Sequence, residues 1–431
     1  MNGPDFVVGE QTGMAFPTTI EPMLAKAPEF LTEAFHATGA LGRDNAVTAV
    51  THSTEFFGGG MGRKLVFDVQ YAKPAAGLHT RLFAKFPRMF GDPLRELFAP
   101  LMEPEVRFAL LSRREGFPLA VPRCYFADYD PATKSGLLIT ECIAYGQGSI
   151  EPRHDKCLDY TVDDPLGHYQ ALTRAMARLA GYQKSGQFGD FVDRQFPFDP
   201  DRVDTGARIP YTAEQLAGKL RKLQEFAARC PQLLPQDVGA VEFLENFANE
   251  APLVLEHEMS IRHYLNHKPD YIALCHWNMN LDNAWFWRDA GGTLQAGLLD
   301  WGSVAQMNLA QGFYGMTCAA ETSFMNAHKR SLMQLFVEEL RHHGGPTLDV
   351  AEFDLQMQLA VAVLGIAWIL DAPSLVEAQI PEVQSVRDRF DPRLRDDFLA
   401  RAQLQLLVVF LNEWRVEDIG TTLRRFIAAR R

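Results

Sequence analysis

His276-Trp277-Asn278-Met279-Asn280-Leu281-Asp282-Asn283 and, a hairpin's length later, Leu298-Leu299-Asp300-Trp301-Gly302 are the segments on which the reading of this chain turns. The apolar run Tyr271-Ile272-Ala273-Leu274-Cys275 delivers His276 to the head of a loop. After the loop, Asn283-Ala284-Trp285-Phe286-Trp287 reads as a strand and Asp289-Ala290-Gly291-Gly292 as a turn. Leu294–Leu299 returns as the partner strand, closed by Asp300. The hairpin brings the loop and Asp300 near one another, which makes the two segments more informative together than apart.

Upstream, the chain is rich in strands. Residues 24–40 space their apolar positions as a helix does and end near Gly39 and Gly42. Ala46–Thr51 and Leu65–Tyr71 read as strands, joined through Phe57-Gly58-Gly59-Gly60-Met61-Gly62. Glycines in such a loop let the backbone approach phosphate oxygens closely, and they also suit an ordinary hairpin turn. In the next strand, Thr80–Phe86, Lys85 follows a mostly apolar run, where a solvated lysine is less expected unless the strand lies at an edge. Met102–Arg113 reads as a helix with Glu103 and Glu105 in its first turn, where acidic groups also complement the macrodipole. Leu119–Phe126 leads into a strand, and Ser135–Cys142 forms its neighbour.

From about residue 165 the pattern becomes helical. Leu166–Lys184 follows a capping Asp163 or Asp164, and 187–210 is irregular. Thr212–Arg229, Asp237–Asn249 and Leu253–Asn266 read as separate helices, and further helices occupy 309–344, 350–371 and 392–429. His263 and His267 have a spacing that can bind metal, but they lack the HExxH glutamate and read as a surface pair.

Composition excludes several classes. A chain of 431 residues, 47% hydrophobic, buries a large core. Its net charge of −12, with no run of Lys or Arg, argues against a nucleic-acid surface. No apolar run of the length of a membrane span stands out. The six scattered cysteines form no C-x-x-C pair, which suits a reduced, cytoplasmic compartment and argues against a disulfide framework or a cysteine zinc site.

His276 to Asn283, followed by Asp300-Trp301-Gly302, resembles the H-G-D-x-x-x-x-N loop and D-(W/F/Y)-(G/E/Q/S) strand end of the aminoglycoside phosphotransferase superfamily. Glu105-Val106-Arg107-Phe108 is similar to the E-V-x-F segment of its ecdysteroid-kinase-like branch, and Val121-Pro122-Arg123 to the V-P-(R/K) segment after that helix. The resemblance implies an α+β, two-lobed protein-kinase-like fold, with a small β-rich lobe over 1–142 and a large helical lobe over 143–431. It implies a small-molecule phosphotransferase that uses ATP or GTP with Mg²⁺ and acts on a hydroxyl of an organic substrate.

Carried over by position, His276 holds the loop, while Asn283 and Asp300 are metal ligands and Asp300 bridges the metal to nucleotide phosphates. Lys85 reaches the phosphates and pairs with Glu105, or with its rival Glu103. Gly58, Gly59, Gly60 and Gly62 cover the phosphates. Glu141, Cys142 and Ile143 supply hinge contacts to the base. One position departs from the pattern: Asn278 stands where the family has its catalytic Asp. An amide cannot take up a hydroxyl proton at neutral pH, and general-base catalysis is worth about 10²–10⁴ in rate. Phosphoryl transfer depends mostly on positioning and charge stabilisation, so the departure implies slowed transfer, a catalytically impaired nucleotide binder, or a rewired transferase.

Overall fold

The computed structural model describes residues 3–56, 62–201 and 208–430. The chain divides into two compact units, Met1–Ile150 with Gly297–Val304, and Glu151–Ala296 with Ala305–Arg431.

The first unit opens with the short strands β1 (Phe6–Val8) and β2 (Ala15–Pro17), which pair with one another. Two helices follow, α1 (Ile20–Ala25) and α2 (Ala27–Ala37). Next come β3 (Val47–Phe56), β4 (Gly62–Tyr71), β5 (Arg81–Pro87), α3 (Arg95–Phe98) and α4 (Met102–Ser112). β6 (Cys124–Asp130) and β7 (Ser135–Glu141) complete a five-stranded antiparallel sheet ordered β3-β4-β5-β7-β6.

Alternation divides the sheet's side chains between two covers. Leu65, Phe67, Leu82, Ala84, Phe86, Leu137 and Ile139 form a core with Phe30, Leu31, Ala34 and Phe35 of α2. On the other face, Ala127, Tyr129 and Leu138 pack with Met102, Val106 and Ala109 of α4. Lys85 alternates with Ala84 and Phe86, so it points to the face that α4 covers.

The excursion 297–304 returns to this unit. Leu298 donates its N–H to the Ala120 carbonyl at 3.0 Å, and the Trp301 ring stacks on Phe108 of α4 at 3.5 Å between centroids.

The second unit is mainly helical. α5 (Pro165–Lys184) starts at Asp164, whose side chain accepts the Gly167 N–H, the cap expected of one of the two aspartates. α6 (Phe191–Gln195) and α7 (Ala213–Arg229) follow, α7 with a full capping box between Thr212 and Gln215. The expected break between Asn249 and Leu253 does not occur, although Pro252 falls there. A single helix, α8 (Val241–Asn266), runs through it. Proline removes one N–H and costs a helix interior about 3 kcal/mol, yet Ala251, Val254, Ile261 and Leu265 are all buried and hold the helix whole.

β8 (Ile272–His276) leads into the loop quoted at the outset, and β9 (Ala284–Arg288) and β10 (Leu294–Leu298) form the expected hairpin. β11 (Val304–Asn308) pairs with β8. The remaining helices are α9 (Leu309–Thr317), α10 (Thr322–His342), α11 (Val350–Trp368), α12 (Ala372–Gln379), α13 (Pro392–Arg395), α14 (Phe398–Val416) and α15 (Ile419–Ala428). Among the described residues α11 alone is long and apolar enough to cross a membrane. In this unit, 72% of its apolar window is buried, packed by α8, α9 and α14.

Candidate functional site

In the first unit the structure brings together three of the residues singled out from the sequence. The Lys85 ammonium lies 2.7 Å from a Glu105 carboxylate oxygen and 2.7 Å from Asp300 Oδ1. Lys85 and Glu105 are 3% and 5% exposed at their side chains, whereas Asp300 is 24% exposed. The choice between the two acidic residues of α4 is thereby made: Glu103 pairs with Arg107 along the helix, and Glu105 turns inward to Lys85.

Burial disfavours the charged form of Lys85, but the Coulombic pull of Asp300 and Glu105 exceeds it and holds the ammonium well above its usual pKa. Burial, helped by the neighbouring Asp300 charge, pushes the Glu105 carboxyl up against the opposing effect of Lys85. Two carboxylates therefore share one fixed ammonium, and the more exposed of them sits at the end of a strand. Asp300 adopts the left-handed conformation, φ 61° and ψ 63°, which costs a non-glycine residue free energy and is sustained here by the packing of Trp301.

The other expected nucleotide contacts are placed as follows. Gly58, Gly59 and Gly60 lie outside the described residues. Gly62 begins β4 with its Cα so close to the Phe86 carbonyl that a Cβ there would meet the oxygen at 2.0 Å. A close strand approach thus accounts for this glycine. At the end of β7, the Glu141 and Cys142 N–H groups donate to the Arg123 and Arg81 carbonyls, and the Glu141 carboxylate meets His79 and the Arg123 N–H. Those two N–H groups are committed to strand neighbours.

In the second unit the loop after β8 is tied internally. His276 is fully buried and accepts the Asn278 N–H at Nδ1, 3.2 Å, and Asn283 donates its amide N–H to the Asn278 carbonyl at 2.8 Å. The amide nitrogen of Asn283 is thus committed to the loop itself. Asn280 donates to the carbonyls of Gly315 and Met316 in α9. α9 approaches closely because Gly312 and Gly315 carry no side chain. A Cβ on Gly315 would lie 2.0 Å from the Trp277 carbonyl oxygen.

Sequence reasoning missed Lys156. Its Nζ donates to Asn278 Oδ1 at 3.1 Å and to Asn280 Oδ1 at 2.5 Å, and lies 3.5 Å from Asp282 Oδ1. Burial lowers the Lys156 pKa, but the Asp282 charge and hydrogen bond together with the Cys157 and Cys318 thiols outweigh it, so the group stays an ammonium. The loop thus presents a cation beside Asn278, and its carboxylate sits at 282. Lys156 lies in a polar stretch with no periodicity and far in sequence from the loop, so no spacing marks it.

Beside it, Asp159 is buried and accepts the Tyr169 hydroxyl at 2.6 Å. Burial first, then the Glu321 and Asp282 charges, push its carboxyl up to about 7 against the Tyr169 bond. The folded state therefore keeps a proton that the unfolded chain releases near pH 4. This group's contribution is most favourable below about pH 4, falls as pH rises to about 7 and is level above. Asp159→Asn is expected to stabilise the protein at pH 8 by a few kcal/mol more than at pH 4.5. Urea denaturation at the two pH values measures this, and equal effects at both contradict it.

The His263 and His267 rings stack at 3.7 Å, and His267 Nδ1 bonds the His263 carbonyl, as suits a surface pair. The six cysteines are free thiols.

No family model matches the chain, and no curated protein matches it. It is similar to a solved choline kinase from Cryptosporidium parvum Iowa II, at 11% identity over 91% of this chain and 95% of that one, with a TM-score of 0.41. An ethanolamine kinase from Plasmodium vivax matches at 10% identity over 83% and 81%, TM-score 0.41. A spectinomycin phosphotransferase in complex with ADP and spectinomycin matches at 10% identity over 86% and 94%, TM-score 0.40.

Proposed function

We propose that this chain transfers the γ-phosphate of ATP, or of GTP, to a hydroxyl of a small organic molecule. The observation that carries the reading is the buried Lys85 ammonium clamped between Glu105 and Asp300. An ammonium fixed by a buried glutamate is oriented to donate to phosphate oxygens, and a partly exposed aspartate beside it is a hard oxygen ligand. Asp300 is the residue of the first unit that would hold Mg²⁺. The ion, when bound, neutralises charge on the phosphates. His276 keeps the loop in place through Nδ1. The hydroxyl substrate would meet Asn278, which can orient it by a hydrogen bond but cannot remove its proton.

The Lys156 contact favours a second reading, a transferase with a rewired loop. With an ammonium at Asn278, the loop stabilises negative charge on an oxygen rather than accepting a proton. Incubation with ATP labelled at the α- or γ-phosphate, across a panel of alcohols, tests the proposal. Transfer of γ-label is expected. α-Label in the product would indicate nucleotidyl transfer, and nucleotide binding without turnover would indicate a binding module. Asn278→Asp discriminates further, because the new carboxylate would pair with Lys156. A rewired enzyme is expected to lose at least tenfold in rate, whereas a gain of that size, with unchanged nucleotide affinity, identifies an impaired ancestral-type loop.

A further inference from the structure

Glu151, His154 and His168 bring one carboxylate and two imidazoles together in the second unit, with their ligand atoms all within 4.8 Å of one another. None of the three is a residue assigned above, although His154 lies two residues before Lys156. Glu151 and His154 belong to the segment before α5, and His168 lies in the first turn of that helix. His168 Nδ1 is 2.6 Å from the Asp164 carbonyl oxygen. A carbonyl only accepts, so Nδ1 carries the hydrogen. In a neutral ring, Nε2 then presents its lone pair to Glu151 Oε2 at 2.8 Å, acceptor against acceptor. A cation between them removes that conflict. A ring N–H donated to a backbone carbonyl is also the usual support of a metal-bound histidine.

The second imidazole points the same way. His154 Nε2 is buried and has no hydrogen-bond partner among the described residues. It lies 3.6 Å from Glu151 Oε2, too far for a hydrogen bond but within the span of two ligands on one ion. Ligands about 2.0–2.1 Å from a tetrahedral zinc are about 3.3 Å apart, between the two distances found here. Phe286 packs against both rings, at 4.5 Å from His168 and 5.6 Å from His154, and its carbonyl accepts the Glu151 N–H. The donors are thus fixed from two sides by α5 and β9.

We propose that Glu151, His154 and His168 form a zinc site, with a fourth position left to water, that fastens the segment before α5 to the helix. The site takes its donors from imidazole and carboxylate, and the cysteines have no part in it. It does not depend on nucleotide use.

The test uses the full chain, stripped with a chelator and titrated with Zn²⁺ alone, without Mg²⁺ or nucleotide. One zinc per chain is expected to survive dialysis, with a melting temperature raised by several degrees. His154→Ala should lose both effects, whereas Asp300→Asn should keep them. Retention of zinc by His154→Ala, or no retention by the native chain, overturns the proposal. If His154→Ala does not fold, X-ray absorption at the zinc edge of the native protein decides. Two imidazole ligands are expected, and a zinc shell without imidazole overturns the site.

Discussion

Lys85→Met is expected to lower the free energy of unfolding by about 3–5 kcal/mol, the usual result of removing one partner from a buried ion pair. The two carboxylates that lose the ammonium do not suffer equally. Asp300 is partly exposed and can rehydrate, whereas Glu105 is buried beneath α4 and cannot. Glu105 is already pushed towards its neutral form by burial, so without Lys85 it takes up a proton and limits the loss. The destabilisation should therefore be smaller at pH 5 than at pH 8, and Lys85→Met combined with Glu105→Gln should recover part of it. Urea denaturation of the single and double variants at both pH values measures this. An unchanged midpoint in Lys85→Met would mean that the pair contributes little to the fold. The same variant is expected to lose nucleotide consumption, because it removes the ammonium proposed to meet the phosphates.

Gly315→Ala is the second large effect. The added Cβ would stand 2.0 Å from the Trp277 carbonyl oxygen and 2.7 Å from the Trp277 ring. The first contact is with backbone, so no rotamer change relieves it. α9 is also seated closely one turn earlier, where a Cβ on Gly312 would stand 3.0 Å from the Cys275 side chain. Overpacking of this kind costs about 1–3 kcal/mol and sometimes more. The strain falls on the loop from His276 to Asn283, which Asn280 ties to the Gly315 and Met316 carbonyls. Loss of activity is expected together with a lower melting temperature and faster amide exchange at the loop. Gly218→Ala, in α7, is the internal comparison. Its nearest contact is 3.8 Å away, so the alanine should raise stability by up to about 1 kcal/mol. If both variants behave alike, close packing of α9 on the loop is not the cause.

Much of the arrangement could be read from local patterns. The apolar run before His276, the glycine turn at 291–292 and the alternation of β4 and β5 each set one element, and each formed as read. Lys85 was conspicuous as a charge in an apolar strand, and its burial explains why. What local patterns could not supply were contacts between distant segments. Glu103 and Glu105 lie in one helical turn, and only the facing of α4 on the sheet separates them. Pro252 carries a strong breaking signal that packing of α8 overrides. Lys156 meets Asn278 and Asn280 from more than a hundred residues away, and His154 and His168 meet across a helix start. The Gly312-x-x-Gly315 spacing was a usable sign of close helix approach, and it went unread.

The central claim is that Asp300, beside Lys85, serves a magnesium–nucleotide complex. Calorimetric titration of ATP into the native protein and into Asp300→Asn, with and without Mg²⁺, tests it most directly. The native protein should bind ATP at least tenfold more tightly with Mg²⁺ than without, and Asp300→Asn should bind equally in both. Absence of ATP binding by the native protein, or an unchanged magnesium dependence in Asp300→Asn, would contradict the claim.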